Sequence, residues 1–285
     1  MTQDKRMQSF QTPTPVRLRV DIPKGRIRLA AEETGETRIV LTAIHGDATA
    51  RAWIADAEID QDGDEIRVRI HKSGLSLFGL GGGIEAEIYC PLGSAANLTT
   101  GSGRIETVGR LGEVNAESGS GRVCIDDCAE ARARTGSGDI VVASAAGSVN
   151  AKTGSGRISV GKVGANARIA TGSGHAELDC AAGDAKLTTA SGNIEIGQAG
   201  DSLEAFAASG NVEVRRADHG LVRAKTISGR ITVGVARGSA ALLDISTMSG
   251  RVNSDLEAGG APRADEKQVE LVLNTMSGNV NVARA

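Results

Sequence analysis

Three glutamates, Glu177, Glu195 and Glu213, recur eighteen residues apart. In a fold that stacked such intervals, their carboxylates would stand about 5 Å apart, which is the separation of the acid and nucleophile in a retaining glycosidase. That chemistry also needs a cleft and unlike surroundings that drive the two pKa values apart. A column on one face with short turns provides neither, so the glutamates read as a solvated face. Basic residues recur too. Arg132, Arg168, Lys186 and Arg223 form one outward column, interrupted by Asn150 and Glu204, and Arg104, Arg122, Arg157, Arg230 and Arg251 each follow a Ser-Gly corner. Like charges in line repel unless a counterion or partner intervenes, so these columns suit a linear polyanion. With few aromatics beside them, base stacking and sequence-specific nucleic acid are not expected.

Other chemistry finds less support. No His recurs to activate the repeated serines as nucleophiles. Cys124 and Cys128 lack two further ligands, and His45, His71, His175 and His219 show no companion spacing, so no metal and no cofactor are expected. Asp60, Asp62 and Asp64 are spaced like calcium ligands, but the rest of a calcium loop is missing and Asp62-Gly63 reads as a hairpin turn. The stretch "LSLFGLGGG" from Leu75 to Gly83 lacks the Lys-Ser/Thr ending of a phosphate loop, and its Leu75, Leu77, Phe78 and Leu80 are expected to pack on the fold.

The elements that position these columns are written in the repeat. "TGSGRI" at Thr100 returns, with small changes, from Thr135, Thr153 and Thr171, and the corner serines run Ser102, Ser120, Ser137, Ser155, Ser173, Ser191, Ser209, Ser228, Ser249 and Ser277. Their steps are 18, 17, 18, 18, 18, 18, 19, 21 and 28 residues. A fixed period means stacked units, none able to bury its apolar side alone. On each side of the corner apolar residues alternate with polar ones, as in Ile158/Val160 and Ala167/Ile169, the mark of strands with one buried face. The expected fold is an all-β, single-stranded β-solenoid with rungs of about 18 residues, leaning to a right-handed coil. A corner with positive φ explains the column Gly103, Gly121, Gly138, Gly156, Gly174, Gly192, Gly210, Gly229, Gly250 and Gly278.

Bulk composition agrees. Aromatics make up 2 % of the 285 residues while Gly numbers 38, so stacked aliphatic residues must fill the core. The net charge of −3 gives no global attraction for nucleic acid or anionic lipid. No apolar run suits a signal peptide or a membrane span, and four irregularly spaced cysteines are no disulfide framework, so the expected address is cytoplasmic. One continuous domain is expected: a disordered tail over 1–15, an irregular β cap over 16–92 with "KGRIRL" as a degenerate first rung, and a regular solenoid over 93–285. A polar loop at 254–267 interrupts the last part.

One position drifts along the repeat. The residue between Thr and Ser of the corner is Gly at first, then Ala190, Ala208, Ile227, Met248 and Met276, with Phe206 nearby on an outward position. Pointing outward, these side chains make an apolar strip that the 254–267 loop or a partner must cover; pointing inward, they widen the core.

With its Ser-Gly-Arg/Asn corners and the late "TMSGRV" and "TMSGNV", the chain from about Val16 onward resembles the bacterial β-strand-repeat family of candidate adhesins, a domain of unknown function. The resemblance implies a β-solenoid without an enzymatic role. The leading expectation is a non-enzymatic scaffold or binding module whose partner is an unknown protein or polymer. Its rivals are a self-assembling structural protein, a glycan-binding or glycan-active β-helix, and a surface adhesin.

Overall fold

The computed structural model describes residues 4–44, 47–71, 82–256 and 267–285, and these form 24 strands and one helix in two compact units, Met1–Ala145 and Ala146–Ala285. The protein is an all-β parallel solenoid with an irregular N-terminal portion.

The first unit contains β1 (Lys5–Gln11), β2 (Arg17–Glu32), β3 (Glu36–Ile44), α1 (Ala48–Ala55), β4 (Glu58–Asp62), β5 (Glu65–Arg69), β6 (Gly83–Pro91), β7 (Ala95–Val108), β8 (Arg110–Ser120), β9 (Val123–Ser137) and β10 (Ile140–Ala145). β2 is a whole rung bent at Gly25: it pairs parallel with β7 from Arg17↔Ala95 to Ala30↔Val108. On its other side its first arm pairs with β5 and its second with β6. The β4–β5 hairpin turns at Gly63, as expected, and β3 lies antiparallel between β6 and β1.

Two expectations change here. Lys5–Gln11 is no tail; all of β1 pairs antiparallel with β3, and Arg6 donates to the carbonyls of Ile54 and Ala57 at 3.2 and 2.6 Å, closing the end of α1. The helix itself was not foreseen. Asp47 caps it, accepting from the Thr49 amide at 2.6 Å, and Trp53 and Ile54 are buried. At eight residues it is too short to print a helical period on the sequence. The "LSLFGLGGG" stretch lies outside the described residues except for Gly82 and Gly83.

The second unit contains β11 (Val149–Ser155), β12 (Ile158–Val163), β13 (Ala167–Ser173), β14 (Ala176–Ala181), β15 (Ala185–Ser191), β16 (Ile194–Gln198), β17 (Ser202–Ser209), β18 (Val212–Ala217), β19 (Gly220–Ser228), β20 (Ile231–Val235), β21 (Ser239–Ser249), β22 (Val252–Ser254), β23 (Lys267–Ser277) and β24 (Val280–Arg284). From β11 to β17 each strand pairs in parallel and in register with its counterpart one rung on, so Ile169 sits over Leu187 and Ile158 over Ala176. From β11 to β20 the inward residues are buried and no aromatic takes part.

The corner repeats for two reasons. Its Thr is buried and donates to the carbonyl of the corner glycine one rung back, as Thr189 does to Gly174 at 3.3 Å, satisfying a polar group inside the stack. The glycines from Gly121 onward hold φ between 139° and 157°, and at Gly174 a Cβ would run into the carbonyl oxygen of Gly156. Gly103 departs from the expected dihedral, but a Cβ there would meet the Gly25 carbonyl, so close approach alone demands Gly.

The last rungs do not stack in sequence order. β23 pairs with β19 on one side and β21 on the other, and β24 lies between β20 and β22. The threonine ladder runs the same way: Thr275 donates to Gly229 and Thr247 to Gly278. Burial accounts for the inversion. The inward positions of β23 and β24 carry Val269, Leu271, Leu273, Val280 and Val282, whereas the position matching Val282 in β22 is Ser254. A hydroxyl at an inward position is cheaper at the end of the stack.

Candidate binding surface

Strands β13, β15, β17, β19 and β23 lie side by side, and their outward residues form two adjacent rows. One runs Arg168, Lys186, Glu204, Arg223, Val272; the next runs Ala170, Thr188, Phe206, Lys225, Asn274. Between them is a groove of about 230 Å³ with Phe206 half-buried in its wall. Parallel in-register pairing sets these side chains one strand spacing apart, about 4.8 Å.

The groove is basic. Lys186 meets Glu204 at 2.8 Å, and this hydrogen bond, helped by the charges of Lys186 and Arg223, holds the Glu204 carboxyl below its ordinary range. Glu204 is the one acid in the two rows. Among the described residues no carboxylate comes within ion-pairing distance of Arg168, Arg223 or Lys225. Lys225 was legible, being two residues from Arg223 and therefore on the same face. Asn274 and Val272 were not, because their place beside β19 depends on the inverted rung order.

The structure separates the other candidates. Arg132 lies in the first unit and is ion-paired with Glu113 at 2.8 Å. Ile227, Met276 and Met248 form one row in that spatial order, exposed by 42 %, 49 % and 79 %, so they point outward and do not enter the core. The loop expected to cover them lies outside the described residues over 257–266.

The glutamate column exists in register, flanked by Ser159 and Thr232. Ser159 donates to Glu177 at 3.3 Å and Arg215 approaches Glu195 at 3.6 Å, on an open strand face. Asp60 and Asp62 face Arg67 at 3.6 and 3.7 Å, and Asp64 pairs with Arg17 at 2.9 Å, so these acids serve ion pairs. No cluster able to hold a metal occurs among the described residues. The Cys128 thiol is pushed up to about 12 by burial and then by the nearby charges of Asp127 and Glu130, and Cys90 to about 11, chiefly by burial. No helix among the described residues is long and apolar enough to cross a membrane.

A second cluster sits at the turn before β19. Asp218, nearly buried, accepts from His219 Nδ1 at 2.8 Å and from Lys267 Nζ at 3.1 Å, while its backbone carbonyl accepts from Ser239 Oγ at 2.7 Å. Lys267 opens β23 and Ser239 opens β21, so this turn pins both strands of the inverted pair.

Solved structures with a similar chain path include a candidate adhesin from Bacteroides fragilis, 12 % identical over 98 % of this chain and 96 % of that one, with a TM-score of 0.40. A candidate adhesin from Parabacteroides merdae is 10 % identical over 98 % and 95 %, with a TM-score of 0.38. A candidate lipid-binding protein from Parabacteroides distasonis is 12 % identical over 99 % and 97 %, with a TM-score of 0.32. These values are too low to carry a function across. No curated protein matches the chain. The family model for Toastrack DUF4097 matches residues 93–283, and the chain belongs to that family.

Proposed function

We propose that this protein is a non-enzymatic binding module that holds an acidic polysaccharide along the outer face of β15, β17, β19 and β23. The observation that carries this reading is the groove at Phe206, lined by Lys186, Arg223 and Lys225 with Glu204 as its one acid, and with Arg168 continuing the first row beside Lys186. A polymer running along the stack meets Arg168, Lys186 and Arg223 in one row and Lys225 in the next, and Phe206 offers a flat apolar surface to a sugar ring. No reaction is proposed, since the glutamate column stands on an open face with Ser159 and Arg215 as its neighbours. A cytoplasmic setting belongs to this proposal and is supported by four unpaired cysteines.

Titration calorimetry with polygalacturonate, and with neutral dextran as control, tests the reading. Binding is expected for the acid polymer alone, weakening with salt, abolished by Arg223→Glu with Lys225→Glu and reduced by Phe206→Ser. Equal binding of dextran, or unchanged binding by the charge-reversed variant, overturns it.

A further inference from the structure

The second unit ends in an unfinished core. β21 pairs with β23 along one edge, and no described strand lies along the other. Its inward Leu243 and Ile245 match Leu271 and Leu273 of β23, yet they are only half-buried while those two are sealed. On the outward side Leu242 is 68 % exposed, and Met248 continues the apolar row described above. An apolar strand with a row of unpaired backbone groups is a template for another strand.

The occupant can be argued from composition and pairing. The chain's own segment over 257–266, "EAGGAPRADE", brings four charges and no apolar side chain larger than proline, so it has nothing to complete a layer of Leu and Ile. β21 itself does. Laid antiparallel on a copy of itself about Ile245, it sets Leu242 against Met248, Leu243 against Thr247 and Asp244 against Ser246, with Ile245 on itself. No like charges face each other, both exposed apolar side chains find partners, and the inward residues roof one another. A shift that centres the pairing on Asp244 would oppose two carboxylates.

We infer that two copies of this chain associate through the free edge of β21, antiparallel and centred on Ile245. Light scattering on eluting protein over a wide concentration range tests this. The wild type passes from monomer to dimer, and Leu242→Lys with Met248→Lys, both at exposed positions, weakens the dimer at least about tenfold without altering the circular dichroism spectrum. Directly opposed residues bring their Cα atoms within disulfide reach, so Ile245→Cys links two chains under oxidation, whereas Ser246→Cys and the wild type do not. A wild type that stays monomeric at every concentration overturns the inference. So does a dimer indifferent to the two lysines, or cross-linking through Ser246→Cys in place of Ile245→Cys.

Discussion

In the first unit, the strands beyond the two arms of β2, on the side away from β7, are protected. β3 is paired along both edges, α1 covers its outer face, and Ile39 and Leu41 are fully buried. The outer strand β4 is short and acidic, with Asp60 and Asp62 gathered on Arg67 and Glu58 on Arg69. Charge and antiparallel hairpins are ordinary ways to stop a sheet from recruiting another. In the second unit β21 has the same kind of inward residues and, among the described residues, no comparable cover: Leu243 and Ile245 stay half-exposed and its one charge is Asp244. A repeat supplies each rung with a neighbour but cannot supply the last one, so each end must be closed by non-repeating sequence or by another molecule.

Truncating matched side chains gives the largest contrast. Leu41→Ala should cost about 2–5 kcal/mol as a sealed cavity, and Leu243→Ala about 1 kcal/mol, because water already reaches that layer. Urea melts of the two variants at a concentration that keeps the chain monomeric would show it, and equal losses would mean that the two ends are alike. The turns give the next contrast. Gly174→Val forces a branched residue into both a left-handed dihedral and the Gly156 carbonyl and should cost about 3 kcal/mol. Gly63→Val, where φ is 60° and the space is open, should cost about half as much in the same melt.

The smallest effect concerns the turn that pins β21 and β23. Burial works to raise the Asp218 carboxyl, but the hydrogen bonds from His219 and Lys267 outweigh it and leave the group below its ordinary value. A depressed folded pKa adds stability that is complete above the unfolded value, about 3.9, and is lost as the pH falls through the folded value. Asp218→Asn should therefore cost about 1 kcal/mol at neutral pH, with the gap to wild type closing in acid. Thermal melts from pH 7 downward would follow it; a gap that persists unchanged in acid would remove the carboxylate's charge from the account.

The candidate site was partly legible. Arg168, Lys186, Arg223 and Phe206 share a face because residues two apart along a strand do, and the rung period fixes which strand lies next. The groove between their rows depends on Thr188 and Lys225 as well, which follow from the same alternation, and on Asn274, which does not. The Asp218 cluster left no sequence signal, since Lys267 lies 49 residues away along the chain.

The sequence by itself determined the rung period, the Ser-Gly corner and the inward and outward faces. Each is local and is written ten times over, so one rung's chemistry suffices to read it. Only the tertiary structure decided the order of the last rungs, the pairing of β1 and the placing of α1. "TMSGRV" and "TMSGNV" offer nearly the same corner and the same alternation, so either rung could be stacked on β19 with its backbone satisfied. The choice rests on which rung carries the larger set of apolar residues inward, and on a buried carboxylate far along the chain that holds Lys267 beside it.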